Sequence, residues 1–162
     1  HATAARPRAR TADSGDRSNH DRSIIMADLT ITASNVLAAS SASVARVTSG
    51  TTTLTAGMPV YRDTSDSNQY KACDADAAGT ASCDGIMLNS ADDGQPAQVI
   101  TNGTLTVGAG VTVGQVYVVS VNPGGIAPYS DLASGDFVTI IGVGLTASTI
   151  KVDIINSGIA KP

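Results

Sequence analysis

Glutamate is missing from this chain: all 14 acidic side chains are aspartate. Glutamate favours helices, whereas aspartate favours turns and caps, so this bias already argues against helical structure. Tryptophan is also missing, phenylalanine occurs once and tyrosine four times. A core built without large rings is aliphatic and thin, and a lone domain of this kind is only modestly stable; burial against neighbours would add to it. Both histidines, His1 and His20, fall within the first 25 residues. The rest of the chain lacks the commonest general base and the commonest metal ligand. Serine triads and papain-like cysteine–histidine pairs need an imidazole and are excluded there. Enzymatic turnover is not expected.

Cysteine is scarce. Cys73 and Cys83 are the only two, and their spacing fits neither a paired zinc knuckle nor a Cys-x-x-Cys redox motif. A local disulfide across this loop, contributing about 2–3 kcal/mol if unstrained, and two small reduced thiols both fit the spacing. No apolar run approaches the ~20 residues of a membrane helix. Residues 1–25 have no apolar stretch of the secretory-signal type.

Charge is unevenly placed. Residues 1–25 hold five arginines (Arg6, Arg8, Arg10, Arg17, Arg22) against three aspartates, and the remainder holds five basic groups against eleven aspartates. An acidic body repels nucleic acid and anionic membranes, so neither is an expected partner. Residues 1–25 read as a flexible basic extension. Met26-Ala27-Asp28 has the look of a start, so an alternative reading makes residues 1–25 upstream frame rather than product. Residues 26–50 read as an extended N-terminal arm. Within it Leu29-Thr30-Ile31-Thr32 alternates like a strand, and the small-residue stretch 38–43 would lie closely on a neighbour.

From residue 51 to 162 the chain is rich in Thr, Val, Ile, Ser and Gly, and short alternating runs end in Gly, Asn, Asp or Pro. Expected strands are Thr53-Leu54, Met58–Arg62, Gln69–Cys73, Gly85–Asn89, Ala97–Thr101, Thr104–Val107, Gln115–Val121, Phe137–Val143 and Thr149–Ile155. Asn102-Gly103 between two such runs predicts a type I′ hairpin, whose central residues need positive φ. Leu105, Val116, Val118, Ile140, Val143, Ile150, Val152 and Ile154 are expected in the core. The fold class is therefore all-β, a small antiparallel barrel or sandwich with an extended N-terminal arm.

No chemical motif survives inspection. Asp74-Ala75-Asp76 begins like a calcium loop, but Ala78 and Gly85 stand where that loop needs ligands. Val107-Gly108-Ala109-Gly110 leads into Val-Thr-Val rather than a helix, so it reads as a turn and not a phosphate loop. The aspartates sit in turn-like contexts and are expected there as solvated turn residues.

Several segments, taken in order, are Ala56-Gly57-Met58-Pro59-Val60-Tyr61, Gly85-Ile86-Met87-Leu88-Asn89-Ser90-Ala91 leading to Gly94-Gln95-Pro96-Ala97, Leu105-Thr106-Val107-Gly108-Ala109, and Val113-Gly114-Gln115-Val116-Tyr117-Val118-Val119-Ser120. They continue with Gly124-Gly125-Ile126-Ala127-Pro128, Gly135-Asp136-Phe137-Val138-Thr139, Ile141-Gly142-Val143-Gly144, Ile150–Ile155 and Ser157–Ala160. This ordered set, from about residue 28 to 162, resembles the head decoration, or capsid cement, proteins of tailed phages. Residues 1–25 and the insert between Cys73 and Cys83 lie outside the pattern. The resemblance implies a compact β-fold, assembled in the host cytoplasm and carried on the exterior of the phage head. It also implies a homotrimer that binds the major capsid protein and stabilises the head, with no cofactor. A small protein with weak single contacts would gain avidity by touching several coat subunits at once. Leu29, Thr30, Ile31 and Thr32 would then be a capsid-binding arm, adding to a coat-protein sheet edge, unless they form a strand of the domain's own sheet. The alternative function is a host- or glycan-binding module of a tail fibre or capsid, for which Tyr61, Tyr70, Tyr117 and Tyr129 are the available rings, Tyr117 being read as core-facing.

Overall fold

The computed structural model describes residues 28–51 and 53–162; the readings of residues 1–25 and of Met26-Ala27 lie outside the described residues. Short β-branched runs punctuated by glycine and aspartate form β1 (Leu37–Ala38), β2 (Ser43–Thr48), β3 (Pro59–Asp63), β4 (Gln69–Ala72), β5 (Gly85–Met87) and β6 (Pro96–Thr106). After these come β7 (Val116–Val119), β8 (Ile126–Pro128), β9 (Phe137–Gly144) and β10 (Thr149–Ala160). Among the described residues one α-helix, α1 (Ala78–Ala81), spans four residues. The fold is all-β and antiparallel, as the composition predicts. The strands form a curled sheet in the order β4-β3-β5-β6-β10-β9-β7-β8, with β1 and β2 also paired to β6.

Two cores share one strand. A parallel bridge joins Ser49, just past β2, to Tyr70 in β4, and the Gly50 N–H donates to the Tyr70 carbonyl at 2.8 Å. This contact closes a ring β2-β6-β5-β3-β4. Val47, Val60, Tyr70, Ala72, Met87, Ala97 and Val99, drawn from all five strands, pack together in one cluster with Leu54. The opposite faces of β5 and β6 carry Ile86 and Ile100, directly paired across the ladder. They belong to a second cluster with Leu105, Tyr117, Val118, Val119, Ile126, Ile141, Ile150 and Val152 from the β7–β10 half. Because β6 is buried on both faces over Val99-Ile100, this part of it reads as an unbroken apolar run, as strands covered on both sides do.

The predicted hairpin at Asn102-Gly103 does not exist. Both residues lie inside β6, which runs unbroken from Pro96 to Thr106. Gly103 does take a positive φ of 118°, but for a different reason. The turn that links β1 to β2 crosses here, and a Cβ on Gly103 would sit 2.7 Å from the Ala42 Cα. Glycine within a strand marks close backbone approach as well as turns.

Two other expectations need correction. Val143 is 39% exposed rather than buried, and Val116, Ile140 and Ile154 are only half-buried. The register shifts between Tyr117 and Val118 in β7, and between Val152 and Ile155 in β10. Each shift breaks the two-residue alternation from which core positions were read. Residues 43–48, read as part of the arm, form β2 of the body and pair with β6 from Asn102 to Pro96.

Candidate assembly surface

Some of the aspartates hold turns. The Asp74 carboxylate accepts from the Asp76 N–H at 2.9 Å, and that of Asp136 from the Ala133 N–H at 2.7 Å. Asp84 accepts from the Arg62 N–H at 2.8 Å. Asp74 and Asp136 also push the Asp76 carboxyl above its ordinary value, Asp74 more strongly, with desolvation adding to the effect. Among the described residues, no three or more Asp or Cys side chains gather in a way that would hold a metal ion.

One ion cluster is well formed. The Lys71 ammonium lies 2.8 Å from Asp63 and 2.9 Å from Asp66. Donation from Lys71, then from the Ser65 hydroxyl and N–H, holds the Asp63 carboxyl down at about 2. The same carboxylates push the Lys71 ammonium up. A depressed folded-state value means that this contribution is fully present above the ordinary 3.8 and is lost as pH falls through about 2. Asp63→Asn should therefore flatten the part of the stability–pH curve between those values, with denaturation midpoints measured across the range as the check. The effect should be small, because the cluster lies at the surface, where solvent and salt screen it.

The segment from Asp28 to Thr32 lies along the body without joining a ladder. Its anchor is Asp28, whose carboxylate accepts from the Ser120 hydroxyl at 2.6 Å and the Asn122 amide at 3.0 Å. The Leu29 N–H donates to the Ile126 carbonyl at 2.8 Å. Leu29 and Ile31 are half-buried against the second core, whereas Thr30 and Thr32 are exposed. Ile31 sits over Gly57, where a Cβ would lie 2.6 Å from the Ile31 Cγ2. Two of the four residues expected to reach a partner thus face their own body, and two face outward.

Sequence reasoning missed the outer face of β7, β9 and β10. A groove of about 370 Å³ opens there, lined by Val116, Ile140, Val143 and Ile155, with Lys151 and Asp153 at its side. Ile155 is 52% exposed. Val113, Leu145 and Ile159, from the loop before β7, the turn just after β9 and the far part of β10, are exposed as well. The alternation within β9 and β10 predicts one apolar face; only the register shifts turn apolar side chains to the other side. A second groove, of about 330 Å³, runs along Leu37, Ala38, Ala42 and Val44 beside Leu88, and both Leu37 and Val44 are exposed.

The tyrosines offer little to a sugar. Tyr117 is buried and its hydroxyl accepts from the Thr112 N–H at 2.9 Å. Tyr129 is exposed, but the Lys161 ammonium stands 4.7 Å from its ring centroid. Cys73 and Cys83 are both buried free thiols.

The fold defines an all-β antiparallel protein with an apolar groove on the face of β7, β9 and β10. No protein-family model and no curated protein matches the chain.

Proposed function

We propose that this chain is a structural protein of a phage virion, a cement that binds the outer surface of the head through its major capsid protein and stabilises the shell. The observation that carries this reading is the apolar outer face of β7, β9 and β10. A thin aliphatic core gains little by leaving Val143 and Ile155 in water, and exposed apolar groups gathered beside a polar rim mark protein contact sites. The sequence resemblance supports the same reading, and it supports a homotrimer, whose repeated contacts multiply a weak single affinity. The exposed Thr30 and Thr32 edge of the anchored segment supplies backbone groups for a coat-protein strand.

A glycan-binding module draws less support from the same surface, since three tyrosines are not exposed and the fourth lies under a lysine.

Heads lacking this protein, mixed with the purified full chain, should bind it on co-sedimentation and show added density on their exterior. Ile155→Asp should weaken that binding at least about tenfold, the effect of losing ~1.4 kcal/mol or more from an apolar contact, while leaving the denaturation midpoint near that of the parent. A chain that stays in the supernatant, or an Ile155→Asp variant that binds like the parent, would defeat the proposal.

A further inference from the structure

Cys73 and Cys83 lie at opposite ends of the β4–β5 connection, and both enter the same core cluster, 0% and 2% exposed. Neither is free to drift. The Cys73 N–H donates to the Pro59 carbonyl at 2.9 Å, and its own carbonyl accepts from the Gly124 N–H at 2.9 Å. A single side-chain amide grips the other cysteine from both sides: Asn156 accepts from the Cys83 N–H at 2.8 Å and donates to the Cys83 carbonyl at 3.0 Å. All four backbone groups of the pair are thus committed. The Cys73 thiol reaches the Ser82 carbonyl at 3.7 Å, one residue before Cys83. The Cys83 thiol turns back to the Gly85 carbonyl at 3.3 Å.

We infer that Cys73 and Cys83 form an oxidation-closed clasp, an intramolecular disulfide that ties the end of β4 to the start of β5 once the protein meets a disulfide oxidant. The reaction is thiol–disulfide exchange with a small-molecule disulfide such as oxidised glutathione. Two S–H bonds break and one protein S–S bond forms. The two electrons and two protons go to the oxidant, whose own S–S bond breaks to give two thiols. Burial pushes the Cys73 thiol far up from its ordinary value, with the Cys83 thiol adding to the effect. The reactive thiolate is therefore scarce in the closed fold, and exchange must wait for local opening of the 74–82 connection. The clasp is consequently slow to close, and afterwards it is shielded from reductants. A reducing cytoplasm keeps the pair open and an oxidising medium closes it. This chemistry does not depend on the capsid reading, and the two can fail separately.

The full chain, purified under reductant and then moved into oxidised glutathione, provides the test. Each sample is denatured and alkylated, and its mass is read. Closure predicts that both alkylation sites disappear with the loss of two hydrogens, and that the chain migrates as a single copy on a non-reducing gel. It also predicts a rise in Tm of about 5–10 °C over the reduced protein, as expected for closing a short loop. Sub-denaturing urea should speed the reaction. Comparing oxidised with reduced parent protein needs no variant, and Cys83→Ser should show no oxidant-dependent shift. Two thiols that remain alkylatable after prolonged exposure would overturn the inference. So would glutathione adducts or linked dimers in place of an internal bond, or a Tm that falls on oxidation.

Discussion

Gly142→Val should abolish the folded state at room temperature. Gly142 lies in β9 between two ladders, opposite Val152 of β10 and Tyr117 of β7. A Cβ there would overlap the Lys151 carbonyl and approach the Val152 Cα to 3.1 Å. Both obstacles are backbone, so no rotamer change relieves them. Overpacking a core costs about 1–3 kcal/mol when side chains can shift, and more when they cannot. A domain of this size has only about 5–15 kcal/mol in hand, and a core short of aromatic rings sits toward the lower end. A loss of at least about 5 kcal/mol, the whole reserve at that lower end, is therefore expected, read as disappearance of the cooperative urea transition. Gly79→Ala is the matching control. Nothing lies within 4 Å of a Cβ there, and alanine in the short α1 should be neutral or stabilising by up to about 1 kcal/mol. A Gly142→Val protein that unfolds at the parent's midpoint would contradict the β9 register described above.

The second large effect is expected at Ile100. Its side chain is fully buried and pairs with Ile86 at the point where the two cores meet across β5 and β6. Ile100→Ala should cost about 2–5 kcal/mol, the sum of lost transfer energy and the cavity left behind. The upper half of that range is the better expectation, because the site cannot collapse from either side: Val99 next to it is held in the ring core and β6 is paired on both edges. The measurement is a shift in denaturation midpoint with an unchanged slope. Ile155→Ala, on the exposed face of β10, should fall within about 0.5 kcal/mol of the parent. Equal effects at the two positions would mean that the inward and outward faces have been assigned wrongly.

What was legible in the sequence was the class of structure and its punctuation. A chain without glutamate, with β-branched runs closed by glycine and aspartate, reads correctly as antiparallel strands. Leu105, Val118, Ile150 and Val152 were read as core and are buried. The pairing was not legible, because a local pattern does not reveal what crosses it. Asn102-Gly103 has hairpin chemistry, yet its glycine serves the passage of Ala42, a residue about sixty positions earlier in the chain. Val143 follows the alternation of β9, but the register shifts turn it outward; Gly142 beside it, where both shifts begin, is a local sign of a bulge that does not say which way the strand turns. The same displacement produced the apolar groove, so the surface that best supports an assembly role was hidden by the rule used to find the core. The anchored segment was half legible: the alternation of Leu29 and Ile31 was correct, and what they face became visible only with Gly57 and Ile126 in place.

The eleven residues of β6 belong to both lobes. Among the described residues the ring and the β7–β10 half are joined through this one continuous strand, which pairs with β2 and β5 along its first part and with β10 along its second. A tug applied at either end passes through covalent backbone instead of a non-covalent seam, and the two lobes must yield together or not at all.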